Sequence, residues 1–102
     1  MKRLPNIHPG EILNEEFIKG FHITAYKLAK ETKMPHTRVS EVLKGKRRIT
    51  ADTALRLSKY FGTTADFWLG LQLEYDLREE KARKQKEINS IRAIDSYNIV
   101  GD

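Results

Sequence analysis

The chain has no cysteine, which excludes disulfide staples and thiolate metal sites and fits a reducing compartment. Its histidines, His8, His22 and His36, stand at no metal-ligand spacing, and no glycine-rich phosphate loop occurs. No apolar run approaches the roughly 20 residues of a membrane span, and Met1-Lys-Arg-Leu-Pro leads into no apolar leader. Glu15 and Glu16 are adjacent on an expected helix and point apart, unlike a paired acid and base. Period-two alternation is missing before the last dozen residues. The expectation is therefore an all-α, cytoplasmic chain with no membrane association, no cofactor, no metal and no enzymatic activity.

What is present is one domain's worth of chain. With 102 residues, 39% hydrophobic and 32% charged, it can bury a single modest core. The net charge of +5 is unevenly spread: residues 22–50 carry eight cations against two carboxylates, whereas residues 51–77 carry two against four. Lys27, Lys30, Lys33, Arg38, Lys44, Lys46, Arg47 and Arg48 make up that cluster. Cations confined to one segment suit a polyanion, because each neutralised phosphate releases condensed counterions. A lysine-rich face that is merely solvated has the same composition.

Helix punctuation divides the chain into five segments. Pro9 suits a first helical turn with Glu11 at the positive dipole end; Ile12, Leu13 and Phe17 then share a face, and Gly20 stops the helix. Thr24 caps a second helix that buries Leu28 and Ala29 and ends near Thr32. Met34-Pro35 breaks it, and Pro35 can open a third helix over about 36–44, with Val39, Val42 and Leu43 inward and Gly45 in the left-handed position. Thr50 caps a fourth, with Asp52 near its start, Ala54, Leu57 and Phe61 inward, and Gly62 at its end.

The fifth helix, after Thr64, meets no obvious stop until about Asn89. Phe67, Trp68, Leu71 and Tyr75 form one apolar stripe, with Trp68 expected in the core; Leu69, Leu73 and Leu77 form another. A surface helix of a monomer needs only one stripe. The second is taken either by a second copy, making Leu69, Leu73 and Leu77 a homodimer interface, or by this chain's own N-terminus. The expected division is a DNA-binding domain over 1–77 and a charged helical extension and tail over 78–102, whose Tyr97–Val100 has strand-like composition. Such a tail can add a strand to a partner's sheet.

Two short helices with a tight break between them, a glycine after the second and a basic loop beyond form a helix-turn-helix signature. The first helix bridges the phosphate backbone, and the second presents its early residues to base edges in the major groove. His36, Thr37, Arg38, Ser40 and Glu41 are thus the candidate base-reading residues: Arg38 suits guanine, Glu41 cytosine and Thr37 a thymine methyl. For each, a phosphate contact or a solvated side chain is the alternative. Thr24, Lys44, Lys46, Arg47 and Arg48 are placed at the phosphates, with helix capping as Thr24's other role.

Leu28-Ala29 through Met34, Val39-Ser40-Glu41 and Gly45-Lys46 resemble the lambda-repressor-like, XRE-type helix-turn-helix family. His8-Pro9-Gly10-Glu11-Ile12-Leu13, Gly45-Lys46-Arg47, Ile49-Thr50-Ala51-Asp52-Thr53-Ala54, Phe67-Trp68-Leu69 and Tyr75-Asp76-Leu77 are more specifically similar to the HigA antitoxins of type II toxin–antitoxin modules. The similarity covers about residues 7–78, and one departure is Pro35, where the family often has a small polar residue. The resemblance implies a homodimer that binds double-stranded operator DNA in its own promoter, in association with the nucleoid. It also implies neutralisation of a HigB-type toxin, a ribosome-dependent mRNA endonuclease. A stand-alone XRE-type repressor without a toxin is the alternative.

Overall fold

In a computed structural model the described residues are 5–94, and all regular structure among them is helical. The segment Tyr97–Val100, expected to be strand-like, lies outside them. Helix α1 (Pro9–Ile12) continues into a π-helical segment (Leu13–Ile18), followed by α2 (Ala25–Thr32), α3 (His36–Leu43), α4 (Ala51–Phe61), α5 (Ala65–Arg83) and α6 (Gln85–Asn89). Around Trp68, which is fully buried, pack Leu13, Ile18, Leu28, Ala29, Met34, Val39, Val42, Ile49, Ala54 and Leu57. The Trp68 indole N–H donates to Thr63 Oγ1 at 2.7 Å, so the buried ring has its polar atom satisfied.

Local chemistry sets most element ends. Thr24, Thr50 and Thr64 each accept a backbone N–H from the residue three further on, capping α2, α4 and α5. Gly45 and Gly62 end α3 and α4 at φ of 74° and 78°. At Gly45 the Lys46 N–H reaches back to the Glu41 carbonyl at 2.8 Å, closing the helix end and fixing where the basic loop leaves.

Three expectations are corrected. The first helix is π-helical over its second half, where Lys19 N–H bonds to Asn14 C=O at 3.0 Å. The wider turn puts residues five apart on one face, so Leu13 and Ile18 are buried while Ile12 and Phe17 are only half-buried. The break after α2 is made by Lys33 in the left-handed region (φ 58°), ahead of Met34-Pro35, while Pro35 opens α3 from its N-cap position as expected. The fifth helix does not run to Asn89: Lys84, at φ −115° and ψ 23°, separates α5 from α6. Residues 81–94 are all exposed, so no packing holds that helix continuous.

Asn6 Nδ2 donates to the Tyr75 carbonyl at 2.9 Å and to Glu79 Oε2 at 3.0 Å, so the segment before α1 lies along one side of α5. Leu73 and Leu77 remain 58% exposed and Leu69 half-buried. Among the described residues, the chain's own N-terminal segment does not cover the second stripe. No helix among them is long and apolar enough to cross a membrane.

Candidate nucleic-acid interface

Helix α3 is anchored through Val39 and Val42 and turns its opposite side outward. His36, Thr37 and Lys44 are exposed, and Arg38, Ser40 and Glu41 are half-buried. Tyr26, 66% exposed in the first turn of α2, has its ring 6.3 Å from that of His36, so the N-terminal turns of the two helices adjoin. The Thr24 Oγ1 that caps α2 is used as an acceptor from Lys27 N–H, leaving its hydroxyl proton available to a phosphate.

The arginines are not bare. Arg38 Nη1 lies 2.6 Å from Asp52 Oδ2, in the first turn of α4. The same carboxylate oxygen accepts from Arg56 Nε at 2.9 Å, and Arg56 Nη1 donates to the carbonyls of Thr32 (3.0 Å) and Lys33 (3.2 Å). One carboxylate thus joins the recognition helix, the turn before it and the helix after it. The guanidinium of Arg38, then that of Arg56, hold the Asp52 carboxyl below its ordinary pKa.

Arg47 meets Glu41 Oε1 through Nε (2.8 Å) and Nη2 (2.7 Å), and Arg48 Nη2 meets Asp76 Oδ2 at 2.8 Å. Asp76 is itself held from inside the fold. Its Oδ1 accepts from Gln72 Nε2 at 3.0 Å, and Gln72 Oε1, almost fully buried, accepts the Ile49 N–H at 2.7 Å. This relay satisfies a buried backbone donor beside the basic loop and ties the loop to α5. Lys44 and Lys46 have no carboxylate partner among the described residues. Arg38, Arg47 and Arg48 line one concavity with Thr50, Asp52 and Thr53 at the start of α4.

The His8-Pro9-Gly10 start of α1 sits on the C-terminal end of the recognition helix, beside Gly45. A Cβ on Gly10 would lie 1.8 Å from the Val42 carbonyl oxygen, so only glycine permits this approach. His8 Nδ1 accepts the Gly10 N–H at 2.9 Å, and its ring meets Tyr75 edge-on at 4.9 Å. Burial lowers the His8 pKa against the raising effect of Asp76, favouring the neutral ring that the cap needs.

The structure therefore brings His36, Thr37, Arg38, Ser40 and Glu41 onto one helix, with Lys44 at its C-cap, Lys46, Arg47 and Arg48 beyond its end and Thr24 at the start of the helix before it. It places Leu69, Leu73 and Leu77 on α5. Sequence reasoning missed Gly10, Asp52, Arg56, Gln72 and Asp76 as the residues that set the geometry. Gly10, Asp52 and Asp76 lay inside motifs that stood out, yet their partners are distant along the chain. Among the described residues no group of three or more His, Asp or Glu side chains can hold a metal.

Such a helix pair, with Arg56 bonded to the carbonyls of its turn, defines a helix-turn-helix domain. The model of the family described as Helix-turn-helix matches residues 16–68. The chain is 48% identical over 82 residues to virulence-associated protein I of Dichelobacter nodosus, covering 80% of this chain and 76% of that one. It is 32% identical to antitoxin HigA-1 of Vibrio cholerae, covering 91% and 87%. A Pseudomonas aeruginosa antitoxin HigA solved with the higBA promoter superposes with a TM-score of 0.85 at 41% identity, over 88% of this chain and 99% of that one. An addiction-module antidote protein of the HigA family from Coxiella burnetii gives 0.84 at 46%, over 89% and 100%. The chain belongs to the helix-turn-helix family and, within it, to the HigA-type antitoxins.

Proposed function

We propose that this chain is an operator-binding antitoxin that acts as a homodimer, represses its own toxin–antitoxin operon and neutralises a HigB-type mRNA endonuclease. One observation carries the DNA-binding part. The exposed first turn of α3 stands next to a cationic helix end and loop, in a chain that superposes on a HigA solved with its promoter. His36, Thr37 and Ser40 are free to meet base edges directly, whereas Arg38 and Glu41 read bases only after leaving Asp52 and Arg47. Thr24, Lys44, Lys46, Arg47 and Arg48 supply phosphate contacts, and Leu69, Leu73 and Leu77 set the spacing of two copies on the operator.

The test is a gel shift on the chain's own promoter at several salt concentrations, with and without the product of the neighbouring gene. Binding that tightens as salt is diluted is expected, with a Lys46→Ala variant losing affinity for all duplexes and about one unit of the log–log salt slope. An unchanged slope would remove Lys46 from the interface. A neighbouring product that is a nuclease inhibited by this chain supports the antitoxin. Operator binding without any such product favours a stand-alone repressor.

A further inference from the structure

We infer that Glu41 and Asp76 are built-in counter-ions for the basic loop: they occupy Arg47 and Arg48 in the free chain, and DNA phosphates must displace them. The inference rests on the proposed placement of that loop at the phosphates. Both pairs are close, at 2.7 Å and 2.8 Å, and join adjacent loop residues to two different helices, α3 and α5. The Asp76 carboxylate does not reach its arginine by chance rotation of a long surface side chain. Asp76 is aimed by Gln72, whose amide is locked to the Ile49 backbone, and Glu41 is a half-buried residue of the recognition helix itself.

These pairs are open enough to exchange. Arg47 and Glu41 are 48% and 45% exposed, and Arg48 and Asp76 are 62% and 30% exposed. Partly exposed pairs of this kind hold only weakly, too little to stop a duplex but enough to weaken its binding a few-fold. When a phosphate takes Arg48, the duplex releases a condensed cation while the freed Asp76 gathers one from solution. Net cation release from that contact falls towards zero. Lys44 and Lys46, with no carboxylate partner among the described residues, carry the first, fully salt-dependent contacts. Asp52 is of a different kind, because it also holds Arg56 against the turn.

The experiment measures affinity of the full-length chain for a labelled random-sequence duplex across a salt series. Asp76→Asn keeps an amide oxygen for Gln72 and removes the charge. It is expected to bind about two- to fivefold more tightly and to steepen the salt slope by about one unit. Glu41→Gln is expected to do the same through Arg47, and serves if the first variant is impaired in folding. In the Arg48→Ala background the gain from Asp76→Asn should vanish. Weaker binding by both carboxamide variants, or a gain that survives without Arg48, would overturn the inference. If Arg48→Ala alone leaves affinity and slope unchanged, it is instead the placement of the loop at phosphates that fails.

Discussion

At the scale of single residues, Gly10 is the position with least freedom. Its Cα faces the Val42 carbonyl so closely that any Cβ would penetrate that oxygen, and the contact is to backbone, which cannot rotate away. Gly10→Ala must push α1 off the end of α3 or bend α3 itself. We expect a loss of about 1–3 kcal/mol in stability, as for other overpacked sites, measured by urea unfolding. Operator affinity should fall as well, because the displaced element is the recognition helix. A variant as stable as the parent would show that the two elements separate without cost. The HPGE motif was visible in the sequence, but its purpose was not, since Val42 lies two helices further along the chain.

At the scale of elements, what the sequence made legible was local. Threonine caps at 24, 50 and 64 and left-handed glycines at 45 and 62 act within three or four residues of themselves, so composition alone placed five helix starts and stops. The π-helical segment was not legible, because it is selected by which side chains, Leu13 and Ile18, reach the core. Nor was the clamp made by Asp52, which read as a dipole-favoured residue near a helix start and in fact joins α3, α4 and the turn after α2. Its folded pKa is depressed, so its contribution is whole above the unfolded value and disappears as pH falls through the folded one. Asp52→Asn should therefore lower the melting temperature most at neutral pH. Below about pH 4 the curves of parent and variant should converge, as the parent's carboxyl takes up its proton. Parallel curves down to pH 2 would mean that the charge of Asp52 adds nothing to the clamp.

At the scale of the whole molecule, α5 has one face in the core and another without a partner among the described residues. Leu73 and Leu77 are each 58% exposed, and Gly70, on the same side, has nothing within 4 Å of where a Cβ would stand. A mid-helix glycine costs about 0.5–1 kcal/mol relative to alanine, and at Gly70 no contact among the described residues offsets that cost. Close approach of a second α5 would do so, with the two leucines buried across the crossing. Leu69 is half-buried against the core and is the wrong residue to test, since replacing it would unsettle the monomer. Leu73→Glu with Leu77→Glu instead places charge only where the second copy would sit. The doubly substituted chain should sediment as a monomer with its helical content intact. Its operator affinity should drop about a hundredfold or more, because the two half-sites would no longer be bound as one linked unit. Random-sequence duplex binding, which needs only phosphates, should fall far less. Retention of the dimer by this variant would move the interface off α5 and leave the exposed leucines to another partner.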